Sequence, residues 1–188
     1  MKVNYLNVLL CSLIVLLIGC TTLRPVNSNK TVYLTAPHNF EKEDEKRWDV
    51  LNFNIKYTDA DVIVIDWTGE GGFMYMGDKT IKAMEVAKAR GKTVIINLVG
   101  EAVSMHANVP CHASKIIWNG NILIFHGGFI RDDQGRKIYI NDDSYFNYCT
   151  SHTPLAGILT QADTDAIMKD HRRVEVSPNH HQTLPDYP

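Results

Sequence analysis

Ser104 is the side chain of this sequence that is best placed to act as a nucleophile. It follows the apolar segment 94–99, which is predicted to be a buried strand, and it lies in segment 100–105 at the start of a predicted helix. A hydroxyl group at such a junction lies where backbone N–H groups converge, and this arrangement suits nucleophilic attack. The alternative role is structural, because serine is also among the residues preferred at a helix N-cap.

Two other predicted strands end in residues that could complete such a site. Segment 61–67 is largely apolar and runs into the glycine-rich turn 68–72, and the apolar segment 122–126 has His126 at its carboxyl end. A serine hydroxyl needs a base that accepts its proton and a third group that fixes the base. The structural alternative for His126 is a histidine that is hydrogen-bonded to the backbone at the end of a core strand.

Three features of this sequence, in this order, resemble the Clp protease proteolytic subunit and its relatives in the ClpP/crotonase superfamily. They are the glycine turn after a strand, the Gly-x-Ala-x-Ser-Met sequence at 100–105 and the strand-ending His126. The resemblance covers about residues 31–126 and implies an α/β fold, a ClpP/crotonase-like spiral of β-β-α units with mostly parallel strands. It also implies the activity of a serine peptidase.

The resemblance assigns a role to each residue of the candidate site. It implies that Ser104 is the nucleophile and His126 the base, and that the backbone N–H groups of Gly72 and Met105 form the oxyanion hole.

For the third member of the triad, the resemblance implies an aspartate late in the helix that follows the His126 region. Asp170 is the nearest match, and Asp163 and Asp165 are the alternatives. A carboxylate on the solvated surface of that helix is the structural interpretation of Asp170.

The hydrophobic pattern predicts the elements that would position these residues. Strands are predicted at 31–36, 61–67 and 93–99, and amphipathic helices are predicted within 41–57 and in the segment that ends at Gly91. This β-α-β-α-β order favours parallel strands with right-handed crossovers. Continuous Val and Ile runs are typical of parallel strands that are buried on both faces.

The second half of the chain has weaker patterns. Pro110 is expected to shorten the helix that follows Ser104. A capping box at Thr160 predicts a helix that reaches about Arg172. The remaining predicted elements are strands at 115–118 and 122–125, a hairpin of 129–130 with 138–140, and a disordered tail at 177–188.

The amino terminus has the features of a bacterial lipoprotein. Residues 1–19 are predicted to be a signal peptide, Cys20 the lipidated residue, and 20–30 a polar tether to a domain at 31–176. The apolar run is shorter than the roughly 20 residues that a spanning helix needs. Thr21 stands where an aspartate would signal inner-membrane retention, so the resemblance to lipoproteins implies an acyl-anchored protein on the periplasmic side of the outer membrane.

Composition excludes several other functions. The 188 residues suit one domain, and 19 basic against 21 acidic side chains give no reason to expect a nucleic-acid partner. His106, His112 and His126 lack the spacing of a metal motif, so neither a metal nor another cofactor is expected. Cys111 and Cys149 are a candidate disulfide, because they remain after Cys11 is removed and Cys20 is lipidated.

The sequence therefore predicts a lipid-anchored, extracytoplasmic serine peptidase-like protein that hydrolyses peptides or unfolded proteins through an acyl-enzyme on Ser104. The alternative is a non-catalytic lipoprotein of the same fold that binds envelope partners. A homo-oligomer is compatible with the resemblance, but a Clp-type double ring is not expected, because a predicted hairpin replaces the helix that joins two rings.

Replacing Cys20 by serine tests the anchor. Cys20→Ser is expected to abolish membrane fractionation and to leave the precursor uncleaved, because the thiol that receives the diacylglyceryl group is gone. Cys11→Ser, within the apolar segment, is the matched control and should fractionate like the wild type. Cell fractionation with mass spectrometry of the amino terminus makes the measurement. Mature, soluble Cys20→Ser protein with the normal amino terminus would contradict the lipoprotein prediction.

Overall fold

Strands and helices alternate through most of the chain in the computed structural model, which describes residues 30–140, 142–152 and 154–186. The strands are β1 (Thr31–Thr35), β2 (Asn39–Phe40), β3 (Val62–Gly69), β4 (Gly71–Gly72), β5 (Thr93–Val103), β6 (Lys115–Ile117), β7 (Leu123–Phe125), β8 (Phe129–Arg131), β9 (Lys137–Tyr139), β10 (Arg172–Ser177) and β11 (His180–Pro185). The helices are α1 (Glu45–Tyr57), α2 (Met74–Ala89), α3 (Met105–Asn108), α4 (Ser144–Ser151) and α5 (Gln161–Asp170), with 3-10 turns at Lys42–Asp44 and Val109–His112.

A mainly parallel sheet forms the centre of the fold. Its strand order is β1-β3-β5-β7-β10-β11, and β6 pairs with β5 beside β7. The pairings β1 with β3, β3 with β5, and β5 with both β6 and β7 are parallel, whereas β10 is antiparallel to β7 and β11. The structure thus confirms the predicted α/β class with mostly parallel strands.

One face of the sheet is buried under α1 and α2. In β3 the side chains alternate, so Ile63, Ile65 and Trp67 are fully buried while the residues between them are half-buried. Trp48 of α1 and Met84 of α2 are packed into the same core. The expectation of strands buried on both faces is therefore wrong for β3, because the helices that would cover its second face are absent from the described residues.

β5 continues four residues further than its predicted end at 99 and reaches Val103. Ser104 therefore follows a strand directly and not a glycine turn. The next helix, α3, has only four residues and continues into the 3-10 turn that contains Pro110. This agrees with the expectation that Pro110 shortens the helix after Ser104.

The carboxyl-terminal segment is not the predicted disordered tail. β10 and β11 form an antiparallel hairpin in which Ser177 faces His180, and β10 is joined to the sheet through Val174 opposite Phe125. The prolines and polar residues of this segment favour disorder. Strand pairing, however, is made by backbone groups and does not require apolar side chains. Pro185, which has no N–H group to donate, is tolerated because it is the last residue of β11. The domain therefore extends past residue 176 to 186.

The amino-terminal predictions lie outside the described residues. They are the signal peptide 1–19, Cys20 and the tether up to residue 29. Within the described ranges, no helix has the length and apolar character that crossing a bilayer requires.

Cys111 and Cys149 are joined by a disulfide in this structure. Their Cα atoms are 5.1 Å apart, and the bond connects the turn after α3 to α4 across a separation of 38 residues. Both residues are buried in the core. The separation of the Cα atoms satisfies the condition for bridging.

Removing this bond is expected to destabilise the domain. Chain-entropy arguments give a loss of about 4 kcal/mol for a loop of this length in the Cys111→Ala, Cys149→Ala double variant. Urea unfolding of the full chain, compared with the wild type with and without reductant, makes the measurement. The reduced wild type serves as the control, since it should approach the double variant. Two alkylatable thiols at these positions in protein from its native compartment would contradict the bridge.

Candidate active site

Ser104 is held in an uncommon backbone conformation between β5 and α3. Its φ is 58° and its ψ is −123°, and a residue with a side chain adopts such angles only when its surroundings impose them. Its N–H donates to the carbonyl of Ile124 in β7 at 2.9 Å, and its own carbonyl accepts from the N–H of Ala107 at 2.9 Å. The Ser104 side chain makes no capping hydrogen bond to α3, so the structural alternative of an N-cap is not what the structure shows.

The glycine turn after β3 lies directly against Ser104. Gly71 and Gly72 have φ values of 106° and 122°, which favour glycine over other residues. A Cβ atom on Gly71 would lie 2.5 Å from Cβ and 3.0 Å from Oγ of Ser104. Only a glycine therefore allows the backbone to approach the hydroxyl this closely.

The ring of His106 is hydrogen-bonded to the glycine turn. The Gly71 N–H donates to Nδ1 of His106 at 3.2 Å, and Nε2 lies 3.2 Å from the carbonyl oxygen of Pro37. Because Nδ1 accepts and a carbonyl cannot donate, the proton of the neutral ring is on Nε2. The sequence offers His106 only as a candidate metal ligand, and no local pattern in it indicates this contact.

The surroundings of His106 keep it uncharged. Its ring is fully buried, with the ring centroids of Phe40 and Trp67 at 4.3 Å and 5.1 Å. Burial lowers the pKa of His106 to about 4, although the hydrogen bond to Pro37 opposes this shift. A neutral ring keeps Nδ1 able to accept from Gly71 throughout the neutral range.

His126 lies on the same cavity as Ser104. Its Nδ1 is 2.9 Å from the carbonyl oxygen of Gly127, and a carbonyl can only accept, so Nδ1 carries the proton. The lone pair of the neutral ring is then on Nε2, which is the tautomer that a general base requires. The side chain is half-buried and packs near Phe129, with ring centroids 5.9 Å apart.

The predicted oxyanion residues also line this cavity. Gly72 and Met105 are both in the lining with Ser104. Because the Gly71 N–H is used by His106, the N–H groups of Gly72 and Met105 stay the predicted donors to an oxyanion.

Asp170 is not among the residues that line the cavity with Ser104 and His126. Asp170 is exposed at the last position of α5 and is not in the lining of the cavity. Asp163 forms the capping box with Thr160, and Asp165 is paired with Lys169 at 3.0 Å. The structure therefore does not support Asp170 as the third triad member, because it lies outside the cavity lining and Nδ1 of His126 contacts the carbonyl oxygen of Gly127.

The cavity over Ser104 has a volume of about 430 Å³, which is within the usual range for small-ligand sites. Its walls include four phenylalanine side chains, Phe40, Phe73, Phe129 and Phe146. A side chain of a peptide fits such a site. No group of three or more His, Cys, Asp or Glu residues in the described part of the chain is arranged to hold a metal ion.

No family model and no curated relative matches the sequence. Among solved structures, a membrane-bound stomatin-specific protease, 1510-N, superposes with a TM-score of 0.58 at 14% identity, covering 77% of this chain and 72% of that chain. The chain has a ClpP-like fold.

Two further solved structures superpose on the same fold. A variant of the same stomatin-specific protease in complex with a substrate peptide gives a TM-score of 0.54 at 13% identity, over 77% of this chain and 68% of that chain. The catalytic domain of the ClpP protease from Plasmodium falciparum gives 0.51 at 12% identity, over 81% and 77%. At these identities the likeness is one of fold, so the chemistry must be argued from the residues of this chain.

The buried His106 predicts a loss of stability in acid. Its pKa of about 4 in the folded state is below the ordinary histidine value of 6.5, so the unfolded state binds the proton more readily. Stability is complete above about pH 6.5 and falls as the pH drops toward about 4, by roughly 3 kcal/mol from this residue. Urea unfolding at several pH values makes the measurement.

Matched variants separate His106 from the other buried histidine. The pKa of His112 is also lowered to about 4, chiefly by burial, so both rings contribute to the acid sensitivity. His106→Gln and His112→Gln should each flatten the pH dependence in part, and the double variant should flatten it further than either. An identical slope in the wild type and in His106→Gln would overturn the assignment.

Proposed function

We propose that the protein is a serine peptidase that cleaves peptides through an acyl-enzyme on Ser104. The observation that carries this proposal is the backbone of Ser104, held at a φ of 58° against Gly71 on a cavity that His126 also lines. Strained residues of this kind cluster at active sites. The ClpP-like fold supports the same class of activity.

The residues suggest a two-step reaction. Oγ of Ser104 attacks the peptide carbonyl carbon while Nε2 of His126 takes its proton, and the N–H groups of Gly72 and Met105 stabilise the oxyanion. The C–N bond then breaks, and His126 returns the proton to the leaving amine. Water, deprotonated by His126, hydrolyses the ester and regenerates Ser104.

The orientation of His126 by a carbonyl has a kinetic consequence. The Gly127 carbonyl fixes the same tautomer that an aspartate would fix, but it is neutral and stabilises the developing imidazolium less than a carboxylate does. Slow turnover is therefore expected. The same feature favours the second candidate function, a non-catalytic module that binds peptides in this cavity.

The location is part of the proposal. We propose that Cys20 carries the lipid and that the domain faces the periplasm from the outer membrane, where peptides or unfolded envelope proteins are the substrates. The bond between Cys111 and Cys149 supports an oxidising compartment. A homo-oligomer without the Clp double ring is compatible with the antiparallel β8–β9 hairpin after His126.

Labelling with a fluorophosphonate tests the nucleophile. The full chain should be labelled at Ser104, and Ser104→Ala should abolish labelling. His126→Ala should slow it by about a hundredfold or more, because general-base catalysis contributes that much. Intact-protein mass spectrometry over time makes the measurement.

Asp170→Asn is the matched control for this experiment. Because Asp170 is exposed and outside the cavity, its labelling rate should stay within about twofold of the wild type. A folded chain that is not labelled at Ser104 would overturn the peptidase and leave the binding module.

A further inference from the structure

The polar groups around the Ser104 cavity are mostly hydrogen-bond acceptors. Three exposed carboxylates, Glu41, Glu70 and Asp142, are in its lining, and no lysine or arginine is among the described lining residues. None of the three carboxylates forms an ion pair within the described ranges. A ligand that brings donors or positive charge would complement this rim.

A buried acceptor in the same cavity also lacks a partner. Asn108 is 8% exposed and lines the cavity. Its Nδ2 donates to the Ser104 carbonyl at 3.2 Å, whereas its Oδ1 has no hydrogen-bond partner in the described structure. Buried polar atoms are rarely left unpaired in native proteins, so Asn108 adds an unused acceptor to the residues of this cavity.

Other polar side chains near the cavity have hydrogen-bond or ion-pair partners within the protein. The hydroxyl group of Tyr145 donates to Asp78, and the side chain of Lys137 is paired with Asp186 at 3.1 Å. Lys137 and Arg131 contact the ring of Phe129 but are not in the lining. The charged side chains of the lining itself are therefore those of Glu41, Glu70 and Asp142.

The walls between the rim and Ser104 are apolar. Phe73, Met74, Phe129 and Phe146 line the cavity together with Ile140. An aliphatic or aromatic side chain is favoured there because it removes apolar surface from water. The cavity therefore joins an apolar interior to an acidic rim.

We infer that the substrate is a polypeptide with an apolar residue at the cleaved bond and a lysine or arginine beside it. This inference rests on the proposed peptidase function and specifies its substrate class. Glu41, Glu70 and Asp142 are then specificity residues and take no part in bond breaking.

Matched fluorogenic peptides test the inference on the full chain. Three peptides share a phenylalanine at the cleaved position and differ only in the adjacent residue, which is lysine, glutamine or glutamate. The kcat/KM for the lysine peptide should exceed that for glutamine by about tenfold and that for glutamate by more, and added salt should reduce the ratio. Equal values for the lysine and glutamine peptides would overturn the inference while leaving the peptidase intact.

Charge-neutralising variants locate the preference. Glu41→Gln and Glu70→Gln should each lower the ratio of the lysine to the glutamate peptide several-fold. Glu43→Gln is the matched control, because Glu43 is exposed on the 3-10 turn next to Glu41 but is not in the cavity lining. A ratio that falls equally in Glu43→Gln would show a general charge effect and would overturn the assignment of the rim.

A binding measurement separates this inference from the proposed function. Fluorescence anisotropy with Ser104→Ala and the same three peptides, labelled and uncleaved, should give the order lysine, glutamine, glutamate in affinity. If Ser104→Ala shows this order while the wild type neither cleaves a peptide nor reacts with fluorophosphonate, the charge preference of the cavity is supported and the peptidase is overturned. If the wild type cleaves the peptides but neither experiment ranks the lysine peptide above the other two, the peptidase is supported and the inferred preference for a basic residue is overturned.

Discussion

The hydrogen bond from the Gly71 N–H to the buried ring of His106 is the contact on which the geometry of the site depends. Gly71 belongs to the turn after β3, and His106 belongs to the helix that follows Ser104, so one bond joins the two segments. The bond requires a neutral ring, and burial among aromatic side chains lowers the pKa of His106 to about 4. The arrangement around Ser104 is therefore insensitive to pH in the neutral range.

The conformation of Ser104 is maintained by hydrogen bonds on both of its sides. Ile124 of β7 accepts from its N–H, and Ala107 and Asn108 donate to its carbonyl. Such a backbone costs on the order of 1–3 kcal/mol, and these contacts offset that cost. The same contacts fix Ser104 relative to β7, the strand that His126 follows. The hydrogen bonds that maintain the strained backbone of Ser104 therefore also position it relative to His126.

The far side of the cavity is built by a segment that the ClpP resemblance did not cover. α4 contributes Tyr145 and Phe146 to the lining, and Cys149 on the same helix is bonded to Cys111 after α3. The disulfide thus ties the wall of the cavity to the segment that carries Ser104. A short α3, interrupted at Pro110, is compatible with a fixed site because this covalent bond holds the turn that follows it.

The sequence by itself determined the parallel core, the positions of Ser104 and His126 at the ends of strands, and the capping box at Thr160. These features depend on local patterns of apolar, glycine and capping residues, which act over a few neighbours along the chain. Tertiary structure alone decided that β10 and β11 pair, that Asp170 is outside the lining of the Ser104 cavity, and that His106 accepts from Gly71. Each of these depends on contacts between residues far apart in the chain, and neither periodicity nor composition records such contacts.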